Sequence, residues 1–407
     1  MNTTNEAIDI KKGNMVTIIN CLNKYKNISF SDINEKTGIS IPTISRHMKF
    51  FLKNNLVIES GIEKVPLGRH AKLSEFNYNY KYVIGMHIGE SKIRVALTNL
   101  EGTNLSYKSI YTKDAGEGYD ILDKVLLMID DAINETSITL NDITAIGIGV
   151  PGITNIETGV VAEAPNIKGW NNIGVYDYMK NKLNQKIFID NDANMAVLGE
   201  SWHPLNNNIE NTIFITIGTG IGSGIIINGS LYRGRNNSSG EIGFMAPMEE
   251  ENARYYTSKG FLESKASMFN LYLDVLEEIK KDKYSVLNSI MPECAFENYA
   301  DFEIDYVDSA AAMNDGTAIK VIAPYINYWG SLIVNSISVL APDIVFVGGD
   351  INVKNTYIYN KLMQYLNKYL RDKPDIYFVR EGHRSEVYGA VKVGIEYTFE
   401  QIYKGLC

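Results

Sequence analysis

At 407 residues, 45% hydrophobic and 21% charged, the chain has material for two or three packed domains and is not a disordered or fibrous composition. No run of ~18 apolar residues occurs, the first residues lack a basic start and an apolar stretch, and Cys21, Cys294 and Cys407 stand isolated; a membrane span, a signal peptide, a disulfide framework and a Cys-rich zinc site are all argued against, and the cytoplasm is the expected compartment. The net charge of −9 is uneven, with 11 Lys+Arg against 7 Asp+Glu in residues 1–80 and 28 against 41 in the remainder, so a basic start on an acidic body points to an anionic partner at one end, although chance imbalance gives the same pattern.

Met15, Val16, Ile18, Ile19 and Leu22 recur at helical spacing and predict an amphipathic helix ending near Tyr25. Ser31, ahead of Asp32, Ile33 and Asn34, is the expected N-cap of a short second helix that stops at Thr37-Gly38. Ser40 caps a third helix from Ile41 to about Lys53, with Pro42 in its first turn, where a missing N–H costs nothing. Helix, short helix, glycine turn and helix make a helix-turn-helix pattern. The third helix offers Thr43, Ser45, Arg46 and Lys49 on its polar side and Ile44, Met48, Phe51 and Leu52 on the other. Such a helix can enter a major groove and hold phosphates. Leu56–Glu59, then Gly61 and the Pro66–Leu73 stretch, read as two short strands with a Gly/Pro tip, a wing whose Arg69 can reach a minor groove. Three short helices also pack together in proteins that bind no DNA.

Tyr82 to Leu97 reads as strand, tight turn, strand, with His87 and Glu90 at the turn; His87 is expected to be a core or strand-end histidine without a catalytic role. A helix follows over Tyr119–Asn134, with Ile121, Leu122, Val125, Leu126 and Ile129 on one face, and then a buried strand over Ile143–Val150 ending at Pro151-Gly152. Trp170 is expected in the core rather than as a stacking platform. The apolar Ile187-Phe188-Ile189 reads as a buried strand end that delivers Asn191 and Asp192 to a cleft. Next comes a glycine hairpin, Ile217 to Gly224, where Gly218, Thr219 and Gly220 let backbone N–H groups approach an anion or turn tightly. Gly240-Glu241-Ile242-Gly243 and Gly260-Phe261-Leu262-Glu263 add two carboxylates beside glycines. An amide with several carboxylates suits a hydroxyl-rich ligand, because carboxylates accept hydroxyl protons and an amide both donates and accepts. Residues 265–320 show helical periodicity and little chemistry. Tyr325–Leu340 predicts a long helix, Ile344–Asp350 a buried strand with the Gly348-Gly349 pair, and Gly389-Ala390 the opening of a last helix. No internal repeat stands out.

Four of these pieces, Asn191–Asn194, Gly218–Gly222, Gly240–Gly243 and Gly260–Glu263, resemble in order and spacing the sugar-site core of the repressor/open-reading-frame/kinase (ROK) family. None is specific alone; together, and over nearly the whole chain, they make the resemblance strong. It implies a two-lobed actin-like (ribonuclease H-like) α/β sugar kinase fold, with a winged helix-turn-helix ahead of it as in the family's repressors, whose wing carries a Gly-Arg-Pro-Ala segment similar to Gly68-Arg69-His70-Ala71. The implied sugar contacts are Asn166, Asn191, Asp192, Glu241 and Glu263, with Asp192 at the family's catalytic-base position. Gly218, Thr219, Gly220, Gly348 and Gly349 match its nucleotide side. Two departures stand out. Family kinases carry an Asp and a second Gly where this chain has His87 and Glu90. Phosphoryl transfer rests on charge neutralisation, so losing one carboxylate from the metal's neighbourhood and placing another beside the phosphate path opposes catalysis. Family members with structural zinc carry a His and three Cys where this chain has Phe244, Tyr255, Tyr256 and Phe261, so no zinc is expected.

The expected organisation is a winged helix-turn-helix over 1–80, a first α/β lobe over 81–190 and a second over 191–407, with the last helix, about 389–407, packing back on the first lobe. The expected function is sugar-responsive transcriptional repression without kinase activity, as a dimer or dimer of dimers on a palindromic operator, with a sugar effector and no cofactor. A sugar kinase with a DNA-binding appendage is the alternative.

Overall fold

The computed structural model describes residues 2–63, 71–164, 167–202, 209–246, 260–351, 356–379 and 384–406. Three helices open it, α1 (Asn2–Lys24), α2 (Phe30–Thr37) and α3 (Ile41–Lys53), followed by an antiparallel pair, β1 (Val57–Glu63) and β2 (Ala71–Phe76). The cap of α2 is Ser29 rather than Ser31. Ser29 Oγ accepts from the Asp32 amide at 3.3 Å while the Asp32 carboxylate accepts from the Ser29 amide at 2.8 Å, a reciprocal box that a Ser31 cap could not close. Gly38, at φ 72°, ends the helix. Ser40 precedes α3 in extended conformation without capping it through its side chain; its Oγ donates to Thr43 Oγ1 at 3.0 Å. Gly61 lies inside β1 at a register shift instead of ending it. The tip of the hairpin, with Arg69 and His70, lies outside the described residues.

The first lobe is built on β3 (Tyr82–Ile88), β4 (Lys92–Asn99), β5 (Asn104–Tyr111), α4 (Tyr119–Asn134), β6 (Ile143–Val150), a small sheet of β7 (Ile153–Asn155), β8 (Val160–Glu163) and β9 (Ile173–Gly174), then α5 (Val175–Lys182) and β10 (Lys186–Asn191). Its main sheet runs β10-β6-β3-β4-β5. One face is closed by Ile121, Leu122, Val125 and Ile129 of α4, and Trp170 is fully buried in the same core. α6 (Asp192–Ser201) leads to β11 (Thr212–Ile217), β12 (Ile221–Ile227) and β13 (Ser230–Leu231). Helices α7 (Phe261–Ala266), α8 (Met268–Lys281), α9 (Leu287–Ile290), α10 (Glu293–Glu297), α11 (Ile304–Ala312) and α12 (Gly316–Leu340) follow, then β14 (Ile344–Gly349), α13 (Tyr357–Tyr369), β15 (Asp375–Phe378) and α14 (Ser385–Gly405). The second sheet runs β13-β12-β11-β14-β15. In both sheets three antiparallel strands continue into two parallel ones, so the lobes repeat one topology that the sequence does not betray. Among the described residues no helix is long and apolar enough to cross a membrane.

Two helices start earlier than the sequence suggests. α12 begins at Gly316 and passes through Pro324. Asp315 caps it, accepting from the Ala318 amide at 2.7 Å, and burial of Ala318, Val321 and Ile322 before the proline and Tyr325 and Trp329 after it outweighs the lost hydrogen bond. α14 begins at Ser385, so Gly389 is not its opening. Its glycine serves a crossing: a Cβ on Gly389 would stand 1.8 Å from the Met195 carbonyl, and one on Gly199 would stand 2.0 Å from that of Ser385. α6 and α14 therefore touch backbone to backbone. Gly147 allows the same approach between α14 and the first sheet, its Cβ position lying 2.1 Å from the Ala390 carbonyl. Farther along, Val391, Ile395, Phe399 and Ile402 of α14 share one core with Met15, Ile18, Ile19 and Leu22 of α1 and Phe76 of β2.

Candidate functional site

A cleft of about 630 Å³ lies between the lobes, lined by the strand ends of both sheets and the start of α14. Asn191, Asp192, Glu241 and Glu263 all border it, as do Gly218, Thr219, Gly220 and Gly349. Gly348 does not; it sits one residue back along β14, where a Cβ would meet the Phe214 ring at 2.6 Å. Asn166 lies outside the described residues. On the head, Arg46 and Lys49 are exposed along α3, Thr43 and Ser45 are half-buried, and Ile44, Met48 and Phe51 are buried beneath them.

β10 ends by turning directly into α6, so consecutive side chains point into the cleft and cap the helix. Asn191 is the N-cap: its Oδ1 accepts from the Ala193 amide at 2.9 Å and its Nδ2 donates to the Gly152 carbonyl at 3.1 Å. Much of its capacity therefore goes into joining α6 to the loop after β6. Asp192 Oδ1 accepts from the Ala193 amide at 2.8 Å, leaving Oδ2 toward the cleft, 4.0 Å from His87 Nε2. Withdrawal from water, then the charges of Glu386, Glu90 and Glu241, push the Asp192 carboxyl up to about 8, against the Ala193 hydrogen bond; its side chain keeps 30% exposure. Two residues earlier, Asp190 is buried, accepts from Asn194 Nδ2 and from the Asn191 amide, both at 2.8 Å, and pairs with Arg233. Asp190 and Arg233 were not singled out from the sequence, since nothing local links residues so far apart.

On the second lobe, Glu263 Oε2 accepts from the Ile221 amide at 3.0 Å and lies 3.1 Å from where a Gly220 Cβ would be. Its carboxylate thus sits on the glycine turn between β11 and β12. Gly240, at φ 87°, must be glycine, because a Cβ there would fall 1.9 Å from the Ser223 carbonyl; its own carbonyl accepts from the Ser223 amide at 2.8 Å and so fixes Glu241 beside the sheet. Partial withdrawal from water and the charge of Glu263 raise the Glu241 carboxyl, which remains exposed. Asp350 follows the Gly348-Gly349 pair. Its Oδ2 lies 3.3 Å from a Cβ position on Gly218 and accepts from the Tyr299 hydroxyl at 2.7 Å. Burial and the Asp350 charge both raise the Tyr299 phenol, whose ring meets Phe269 edge-on at 5.3 Å. The stretch read as carrying little chemistry therefore supplies Phe269, Asn298 and Tyr299 to the cleft.

The first lobe contributes His87, Glu90 and Arg94, and the start of α14 contributes Arg384, Ser385 and Glu386. Arg384 adopts φ 61° and lays its guanidinium over the Tyr107 ring at 3.5 Å from the centroid. His87 is 7% exposed, and burial chiefly holds its imidazole down to about 4, with Glu386 and Arg94 acting in opposite senses. Seven carboxyl side chains, Glu90, Asp190, Asp192, Glu241, Glu263, Asp350 and Glu386, border the cleft against Arg94, Lys113 and Arg384. The arrangement suits a ligand that offers many hydroxyls and little negative charge.

A family model described as the ROK family matches residues 83–395, and one described as winged helix-turn-helix DNA-binding matches residues 16–58. The chain is 27% identical over 364 residues to the xylose repressor of Caldicellulosiruptor bescii, covering 88% of each protein. It is 28% identical over 290 residues to the glucokinase of Halalkalibacterium halodurans, covering 71% of this chain and 86% of that one. A crystal structure described as a ROK family transcriptional regulator, homologous to the Mlc protein of E. coli, superposes with a TM-score of 0.74 over 97% of this chain and 98% of that one. At 22% identity, that likeness speaks of the fold.

Proposed function

The chain belongs to the ROK family, and from that premise we propose that it is a sugar-responsive DNA-binding transcriptional regulator, a repressor of a carbohydrate-utilisation operon. The observation that carries this is one chain holding both an exposed Arg46 and Lys49 on the third helix of a winged head and a carboxylate-rich cleft whose base-position Asp192 is intact. Sugar held at Asn166, Asn191, Asp192, Glu241 and Glu263 closes the lobes, and closure shifts a twofold dimer away from its palindromic operator. A coupling of about 1–3 kcal/mol suffices for such a response. The protein works in the cytoplasm, without zinc, on DNA through Thr43, Ser45, Arg46, Lys49 and Arg69.

A sugar kinase is the second reading, favoured by Asp192 and the Gly218–Gly220 turn. Against it, Asp350 lies against that turn and Glu90 lines the same cleft where family kinases carry a glycine, so a triphosphate meets like charge where kinases supply neutralisation. We therefore assign no catalytic residue.

The test is a double dissociation, read by fluorescence anisotropy on an upstream promoter fragment at one salt concentration. Arg46→Ala weakens operator binding by about 1–3 kcal/mol and leaves sugar affinity unchanged. Asp192→Ala abolishes the sugar response and leaves sugar-free operator binding intact. Binding no tighter than to random DNA refutes the repressor reading. Sugar phosphorylation from ATP at about 1 per second or faster, lost in Asp192→Asn, restores the kinase.

A further inference from the structure

We infer that His87, together with Asp192, reads a single hydroxyl of the effector, with His87 donating to its oxygen and Asp192 accepting the hydrogen bond that the hydroxyl donates. The inference rests on the sugar-site reading above and adds to it a contact residue at a position where family kinases carry a carboxylate. His87 lines the cleft with 7% of its surface exposed, and its Nε2 has no hydrogen-bond partner among the described residues. A buried ring nitrogen left without a partner costs stability unless something meets it. The other nitrogen, Nδ1, lies 3.3 Å from Arg94 Nη1. A guanidinium only donates, so Nδ1 accepts and the ring proton stands on Nε2. Burial keeps the ring neutral at physiological pH, which preserves that tautomer.

Across the cleft, Asp192 Oδ1 is held by the Ala193 amide and Oδ2 is the atom nearest His87. The Nε2–Oδ2 separation of 4.0 Å is too long for a direct hydrogen bond. A hydroxyl oxygen placed ~2.8 Å from both atoms spans that gap with an angle of about 90° at oxygen. The hydroxyl then accepts from Nε2–H and donates to Oδ2 of the ionised carboxylate, using both of its functions, and Asp192 gives up to solvent on binding the proton it holds when ligand-free. Gly89 keeps a side chain away from this nitrogen, since a Cβ there would press to 2.6 Å from His87 Cε1 and 3.1 Å from Nε2. A carbonyl at the same place only accepts, and a phosphate brings its charge against Asp192, Glu90 and Glu386. The pair thus selects a neutral polyol hydroxyl.

Calorimetry with D-xylose, D-glucose, N-acetylglucosamine and D-glucosamine on the full chain tests this, followed by the monodeoxy series of the sugar that binds most tightly. His87→Phe keeps the volume and removes the donor; binding falls by about ten- to a hundredfold. His87→Gln places an amide N–H near the Nε2 position and keeps affinity within about threefold of wild type, whereas His87→Asn, equally polar but too short, does not. In wild type one deoxy sugar loses at least as much as His87→Phe does, and against His87→Phe that sugar loses less than it does against wild type, because its contact with His87 is already gone and only that with Asp192 remains to be removed. A cooperative thermal transition in each variant shows that it is folded. Sugar binding lost in Asp192→Ala but untouched in His87→Phe overturns this inference alone. Equal loss in the Phe, Gln and Asn variants also overturns it, by marking His87 as a packing residue. Wild-type protein that binds none of the four sugars overturns the sugar reading and the inference together.

Discussion

Phe399→Ala tests whether the head is held by the last helix of the body. Phe399 is 9% exposed, and its ring lies 5.0 Å from that of Phe76, which is fully buried. Removing such a ring costs about 3 kcal/mol, the low end for a buried Phe, because one side of the cluster is near solvent. Tyr403, which donates to Asn20, and the Lys26–Glu101 pair remain and limit the damage. The loss falls on the shared core of α1, β2 and α14, so opening of the head becomes easier by that amount. At about 1.4 kcal/mol per decade, amide exchange in peptides covering residues 14–24 and 71–76 accelerates by about a hundredfold. Peptides covering 212–217 and 344–349, in the second lobe, exchange as before. The measurement is hydrogen exchange by mass spectrometry under native conditions. If the head peptides keep their wild-type rates, the head is a freestanding module and the argument from the shared core fails.

Asp192 makes the ligand-free protein less stable as pH rises. Its folded value of about 8 lies above the ~3.9 of an unfolded Asp, so between those values the folded state holds a proton that the unfolded state has released. The melting temperature therefore falls from pH 6 toward 8 and this contribution levels off above, and Asp192→Asn flattens that slope; parallel profiles refute the assignment. Gly389→Ala drives a methyl into the Met195 carbonyl 1.8 Å away and destabilises by about 3 kcal/mol or more, seen as a depressed melting temperature; a shift within about 2 °C shows that the helices can separate cheaply. Arg233→Met leaves Asp190, whose side chain is 5% exposed, as an unpaired buried charge and costs about 3 kcal/mol in urea unfolding; a loss below about 1 kcal/mol shows that the pair is replaceable.

What the sequence revealed was local. The Gly218–Gly220 turn, the strand end that delivers Asn191 and Asp192, and the carboxylates flanked by glycines each carry their signal within a few residues, and the structure gathers them in one cleft. α4 and β6 were legible residue by residue, because an uninterrupted apolar stripe or run leaves one solution. The wall made by Asp350, Tyr299, Arg384 and Glu386 was not, since it joins segments that lie far apart in the chain, Tyr299 and Asp350 being 51 residues apart, through tertiary contacts alone. Pro324 misled because its penalty is local while the burial that offsets it is tertiary. Gly389 misled because a glycine that permits a helix crossing looks the same in sequence as one that starts a helix. Ser29 lost to Ser31 in the sequence because only geometry decides which serine reaches the third residue of a helix.

The sharing of α14 between head and body has a consequence for synthesis. The apolar face of α1 is made among the earliest residues, yet Val391, Ile395, Phe399 and Ile402, which complete its covering, are made nearly 400 residues later. At about 5–20 residues per second, that face waits on the order of tens of seconds for its partner. During that interval the nascent head exposes Phe76 and its neighbours to whatever chaperones or sister chains are near. A polypeptide cut short before α14 therefore displays an unfinished reading head, and cells that accumulate such fragments do not accumulate competent operator binders.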